Sequence, residues 1–86
     1  MRLCQMPITP AQSRAARALL GFSQQELADR AKVGKQTLAD FERGARTPYH
    51  RTLRDIEATL EDAGIEFIPE NGGGVGVRFR ERRVAD

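Results

Sequence analysis

Apolar residues recur at helical spacing along most of the chain and give way to alternation near its end. Thr9-Pro10 opens a first helix, with Thr as cap, Pro at the first helical position and Gln12 completing a capping box. Residues 11–20 are rich in Ala, Leu and Arg, and Gly21 ends the run. Ser23-Gln24-Gln25-Glu26 reads as a second capping box, and Leu27, Ala28 and Ala31 supply a buried stripe. After a break at Lys32-Val33-Gly34, the period resumes with Leu38 and Phe41 and stops at Gly44. Thr47-Pro48 repeats the cap-plus-Pro start, and Leu53, Ile56, Leu60 and Ala63 mark a fourth helix ending at Gly64.

Beyond Gly64 the pattern is that of strands. Ile65-Glu66-Phe67-Ile68 is β-favouring, Pro69 stops it, and Glu70-Asn71-Gly72-Gly73-Gly74 reads as a flexible turn. Residues 75–80 then alternate apolar with polar or small side chains. Two strands alone are marginal in water, so Ile65, Phe67, Val75, Val77 and Phe79 need a cover. Either the helical body supplies it or a second copy pairs edge to edge, and the pattern leaves that choice open. The expected fold is mainly α: a compact bundle of four helices over residues 9–64, followed by a β-hairpin over 65–80. Segments 1–8 and 81–86 are expected to be flexible.

Size and composition narrow the chemistry. Eighty-six residues and 9.6 kDa hold one small core. The single cysteine, Cys4, excludes an intramolecular disulfide and a Cys-based zinc site, and is expected to be inert. His50 is the one histidine, so it lacks a second nitrogen ligand. No metal or other cofactor is expected. No apolar run reaches the roughly 18 residues of a membrane span, and the N-terminus lacks a signal-peptide core. A reducing, cytoplasmic setting without a membrane is the simplest expectation.

The net charge of +2 hides a strong polarity. Residues 32–54 carry Lys32, Lys35, Arg43, Arg46, Arg51 and Arg54 against Asp40 and Glu42, a net +4. Residues 55–71 carry six acids and no base, a net −6. A basic middle of this kind fits a polyanion, although a solvated charged face has the same signature. Twelve of the fourteen basic residues are Arg, whose flat fork suits phosphates and guanine edges.

Residues 23–44 comprise a short helix, a three-residue turn and a second short helix, the outline of a helix-turn-helix. The residues add a likeness. Ser23-Gln24-Gln25-Glu26-Leu27-Ala28, then Val33, Thr37-Leu38, Phe41-Glu42-Arg43-Gly44 and Thr47-Pro48, resemble the Cro/phage-repressor (XRE) family of helix-turn-helix DNA-binding proteins. The likeness spans about residues 9–64. The opening Ile8-Thr9-Pro10-Ala11-Gln12 and the ending Phe67-Ile68-Pro69-Glu70-Asn71-Gly72 also look like very small bacterial regulators of that family.

The resemblance implies roles by position. Lys35, Gln36 and Asp40 fall where the recognition helix, over 35–43, usually meets base edges. Lys35 suits guanine and Gln36 suits adenine; Asp40 either accepts from cytosine or pairs locally with Arg43. Gln24, Thr37, Arg43, Arg46, Thr47 and Arg51 are the implied phosphate contacts. Arg17 and Glu42 match positions that often form an ion pair between the first and recognition helices. Two departures stand out. Lys32 occupies a turn position usually held by Gly, and so must adopt positive φ or reshape the turn. Gly34 stands where Ser or Thr commonly caps the recognition helix.

Catalysis finds no constellation: there is no Cys/His pair, and Gly72-Gly73-Gly74 sits between strands in an acidic neighbourhood. The expected function is a sequence-specific transcriptional regulator that binds palindromic double-stranded DNA as a homodimer, with Ile65, Phe67, Val75, Val77 and Phe79 at the interface. The alternative is an antitoxin or protein-interaction module that binds a partner protein as well as DNA.

Overall fold

The computed structural model describes residues 8–81. Cys4, most of the N-terminal segment and the tail from residue 82 therefore lie outside the described residues. Four helices, α1 (Pro10–Leu20), α2 (Gln24–Ala31), α3 (Lys35–Glu42) and α4 (His50–Asp62), precede strands β1 (Ile65–Ile68) and β2 (Gly76–Phe79).

Local chemistry sets most of these boundaries. Thr9 Oγ1 accepts the Gln12 amide at 3.1 Å, while Gln12 Oε1 accepts the Thr9 amide at 3.0 Å, closing a reciprocal capping box. Gly21 ends α1 in the left-handed region at φ 75°, where a side chain would be strained. Ser23 caps α2 by accepting the Glu26 amide at 3.0 Å. The Glu26 carboxylate turns to Arg30, 3.3 Å away, rather than back to the cap. Arg30 in turn lays its guanidinium over Phe22, 4.5 Å from the ring centroid.

The turn between α2 and α3 keeps its shape despite the missing glycine. Lys32 takes φ 61°, and the Val33 amide reaches back to the Ala28 carbonyl at 3.0 Å. An L-residue there is strained, so Lys32→Gly should raise the unfolding free energy by about 0.5–1 kcal/mol after the extra unfolded-state entropy of glycine. Thermal melts should show Tm several degrees higher; an unchanged or lower Tm would mean that the Lys32 stem packs usefully. Gly34 caps α3 through an extended backbone, with no side-chain hydrogen bond.

The start of α4 differs from expectation. Thr47-Pro48 does not cap it; the helix begins at His50, with Tyr49 as an N-cap that makes no side-chain bond. A residue before proline is pushed out of the helical region, so Thr47-Pro48 reads equally as an extended dipeptide. The fold leaves it outside both helices, in the connection between α3 and α4.

Leu27, Leu38, Ile56, Leu60 and Ile65 are wholly buried, with Ala16, Ala28, Phe41 and Leu53 around them. Ile8, assigned from sequence to a flexible segment, is 5% exposed and belongs to this core. It precedes the cap of α1, and the capping box fixes the angle at which it enters.

The hairpin pairs within the chain. β1 and β2 are antiparallel, with Ile65 opposite Phe79 and Phe67 opposite Val77. These four side chains share one face; Ile65 is buried and the other three pack on the core. The opposite face carries Glu66 and Arg78, paired across the strands at 3.2 Å. Four of the five side chains expected at a dimer interface are thus turned towards the chain's own helices. Val75 lies just before β2 and is 46% exposed. In the loop, the Glu70 carboxylate accepts the amides of Gly72 and Gly74, each at 3.3 Å.

Gln12 ties the hairpin to α1. Its amide nitrogen donates to the carbonyls of Gly76 at 2.8 Å and Ile68 at 3.5 Å. Arg80 secures the other end: both terminal guanidinium nitrogens donate to the Glu61 carbonyl at 2.9 Å, at the last turn of α4.

Candidate nucleic-acid interface

The presentation of α3 depends on one buried carboxylate. Glu42, at the end of α3, is 1% exposed. Arg17 of α1 approaches it with two nitrogens: Nη2 stands 2.7 Å from Oε1, and Nε lies 3.1 and 3.0 Å from the two oxygens. Ser13 donates to Oε2 at 2.5 Å, and Gln24 donates to Oε1 at 3.0 Å. Arg14 donates to the Glu42 carbonyl, and Arg17 also bonds the Phe22 carbonyl at 3.1 Å. Burial alone would raise the carboxyl pKa. The hydrogen bonds from Arg17, Ser13 and Gln24 outweigh it, and the pKa falls below the ordinary glutamate range.

This arrangement joins α1, the start of α2 and the end of α3 at a single point. With Ala28 and Leu38 buried and Val33 packed on the core beneath the turn, α3 is held at a set angle to α2. The face of α3 turned away from the core is then available. Lys35 and Gln36 stand exposed on its first turn, and Thr37 is half-buried. Asp40 lies one turn on, its side chain 14% exposed. Its Oδ1 accepts from Gln36 Nε2 at 2.9 Å and from Arg43 Nη2 at 2.9 Å. Those two hydrogen bonds, Gln36 first, hold the Asp40 carboxyl below its usual range, with Arg46 adding a smaller attraction.

Arg43, Arg46, Thr47 and Arg51 are exposed along the connection after α3 and the first turn of α4. Gln24 occupies the first position of α2, as its implied phosphate role requires, but its amide nitrogen is already engaged by Glu42. The fold thus brings Gln36, Asp40 and Arg43 into one hydrogen-bonded row on α3. Arg46 lies near enough to attract Asp40, Thr47 and Arg51 follow it in the chain as exposed residues, and Arg17 and Glu42 form the support behind the row.

Two residues that support the site, Ser13 and Arg14, were missed from sequence, as was the exposure of Tyr49. Ser13 lies four residues before Arg17 and Arg14 three before it, so all three fall on one side of α1. That spacing was a readable signal once Arg17 had been singled out. Tyr49 is 87% exposed between Pro48 and His50, and nothing in the apolar pattern announces it.

Electrostatics follow the same axis. α4 begins with His50, Arg51 and Arg54 and ends with Glu57, Glu61 and Asp62. Its 13 residues separate the two ends by about 20 Å. Burial, and then the neighbouring Glu61, raise the Glu57 pKa, as expected where carboxylates crowd. Among the described residues no group of His, Cys, Asp and Glu is arranged to hold a metal ion. Among them, too, no helix is long and apolar enough to cross a membrane.

The family model described as "Helix-turn-helix" matches residues 14–61, more than half of the chain, from the first turns of α1 to the end of α4. No curated protein matches the chain. The matched segment contains the whole Glu42 support except Ser13, together with the row along α3 and the basic connection after it, and omits the hairpin. The chain belongs to the helix-turn-helix family of Cro/repressor (XRE) type, a family of DNA-binding transcription regulators.

Proposed function

We propose that the protein is a sequence-specific regulator that binds a twofold-symmetric operator as a homodimer, with α3 in the major groove. The observation that carries this is the exposed row of Lys35 and Gln36 on a helix whose angle is locked by a buried ion pair. A rigid helix bearing a cation and an amide at its start matches what base edges in that groove offer. Lys35 meets guanine and Gln36 meets adenine. Arg43, Arg46, Thr47 and Arg51, with the amides at the start of α2, take the flanking phosphates. These contacts set register and salt dependence; α3 sets the sequence.

One helix-turn-helix covers too few base pairs for useful selectivity, and two related by a dyad double the site. Among the described residues the sheet has two strands, so a second copy adding to an outer edge of the hairpin would build a four-stranded sheet. The dimer contact is then made by strand backbone, because the apolar face is occupied by the chain's own core.

Selection from random DNA should return a palindrome with half-sites about one helical turn apart. Sedimentation should give twice the 9.6 kDa chain mass. Gln36→Ala should weaken the selected site by about 5- to 150-fold and leave random DNA nearly unaffected. Arg46→Ala should weaken both and reduce the salt slope by about 1. An equal loss at Gln36→Ala on every sequence would rule out base reading by α3.

A further inference from the structure

Asp40 stands in the middle of the exposed face of α3 without being free to act as an independent reader. Both hydrogen bonds it accepts converge on one oxygen, from a neighbour one turn before it and a neighbour nearly one turn after it. We infer that Asp40 is a positioning residue that sets the amide of Gln36 so that it accepts adenine and refuses guanine. The inference rests on the proposed insertion of α3 into the major groove and adds the reason for its base preference.

The chemistry follows from what each group can donate. An ionised carboxylate only accepts, so the Gln36 amide must turn its nitrogen, and not its oxygen, towards Asp40. The low pKa of Asp40 keeps it ionised at neutral pH. One of the two Gln36 N–H bonds is then committed. What remains facing outward is one N–H donor and the Oε1 acceptor. Adenine presents an acceptor at N7 beside a donor at N6, and this pair complements it. Guanine presents two acceptors, N7 and O6, and would need both N–H bonds at once. With one withheld, guanine leaves Oε1 facing O6, two acceptors in contact.

Arg43 completes the arrangement. Its Nη2 holds Asp40 from the far side, so the carboxylate keeps its place as Gln36 meets DNA. Arg43 has further guanidinium donors for a phosphate, and the two roles are compatible. The neutral variant D40N is informative because an asparagine amide can donate as well as accept. It permits the Gln36 amide to flip, with Oε1 towards residue 40 and both N–H bonds outward, which is the pattern guanine requires.

The test combines random-DNA selection with side-chain relaxation on the full chain. In DNA-free wild type, the Gln36 side-chain amide should be nearly as ordered as the backbone, and in D40N it should fall below an order parameter of about 0.6. Wild type should prefer adenine over guanine on the order of 10-fold at one position of each half-site. D40N should bring that ratio within about threefold of unity, with the other positions unchanged and Tm within a few degrees of wild type. A mobile Gln36 amide in wild type would overturn the inference while leaving base reading by α3 intact. So would a D40N profile identical to wild type, or one that changes only at a cytosine position, which would make Asp40 itself the base contact. A wild-type selection that enriches no site would overturn both readings.

Discussion

Glu42→Ala will destabilise the fold by about 3–5 kcal/mol, the range for removing one partner of a buried ion pair. The carboxylate is 1% exposed and receives Arg17, Ser13 and Gln24 together, so its loss strands a guanidinium that is itself only 19% exposed. Small domains have about 5–15 kcal/mol in total, so the loss removes a large share of what keeps this fold together. Urea denaturation is the measurement, and a midpoint indistinguishable from wild type would show that Glu42 is dispensable. Replacing Glu42 and Arg17 together by apolar residues of similar volume will recover much of the loss, because no charge is then left unpaired. The same group makes stability depend on acid. Its folded pKa lies below the unfolded value of about 4.5, so its contribution is complete above that pH. It is lost as pH falls from there through the depressed folded value. In Glu42→Gln that acid-dependent component will be missing.

Ile65→Ala will cost about 2–5 kcal/mol, and the cost will be independent of protein concentration. Ile65 is wholly buried where β1 meets α4 and the core, so truncation opens a cavity inside one chain. Measured at concentrations low enough to keep the chain monomeric, the midpoint will still fall. Val75→Ala is the control: at 46% exposure it will change stability by less than about 0.5 kcal/mol. A loss for Ile65→Ala that vanished on dilution would instead place this residue between two copies.

These two residues mark what could and could not be read from the chain alone. The helix boundaries at Thr9, Gly21, Ser23 and Gly44 were legible because capping and left-handed turns are local chemistry, decided within four residues. The register of the two helix-turn-helix elements was legible for the same reason. Thr47-Pro48 misled because one dipeptide serves both as a helix start and as an extended connection, and only the path from α3 to α4 decides between them. The alternation in residues 65–79 correctly announced strands with one apolar face. What that face meets depends on contacts with α1 and α4, far away in sequence, so a cover by the chain's own helices and a cover by another copy looked alike. Ile8 was set aside because a lone apolar residue before a cap has no period to join. Asp40 was ambiguous because its pairing with Gln36 and Arg43 uses the same spacing that would align all three towards a groove.

Gln12 and Ser13 are neighbours on α1, yet they wait for very different lengths of chain. Ser13 meets Glu42, whereas Gln12 meets Gly76, a residue synthesised 34 positions later. At roughly 5–20 residues per second, that separates the two bonds by about 2–7 s on the ribosome. The reading head can therefore be assembled, with α3 already braced against α1, while the hairpin has yet to emerge. Throughout that interval the core is open on the side that Ile65, Phe67, Val77 and Phe79 will close, and α1 holds out an unanswered amide to the strand it has still to meet.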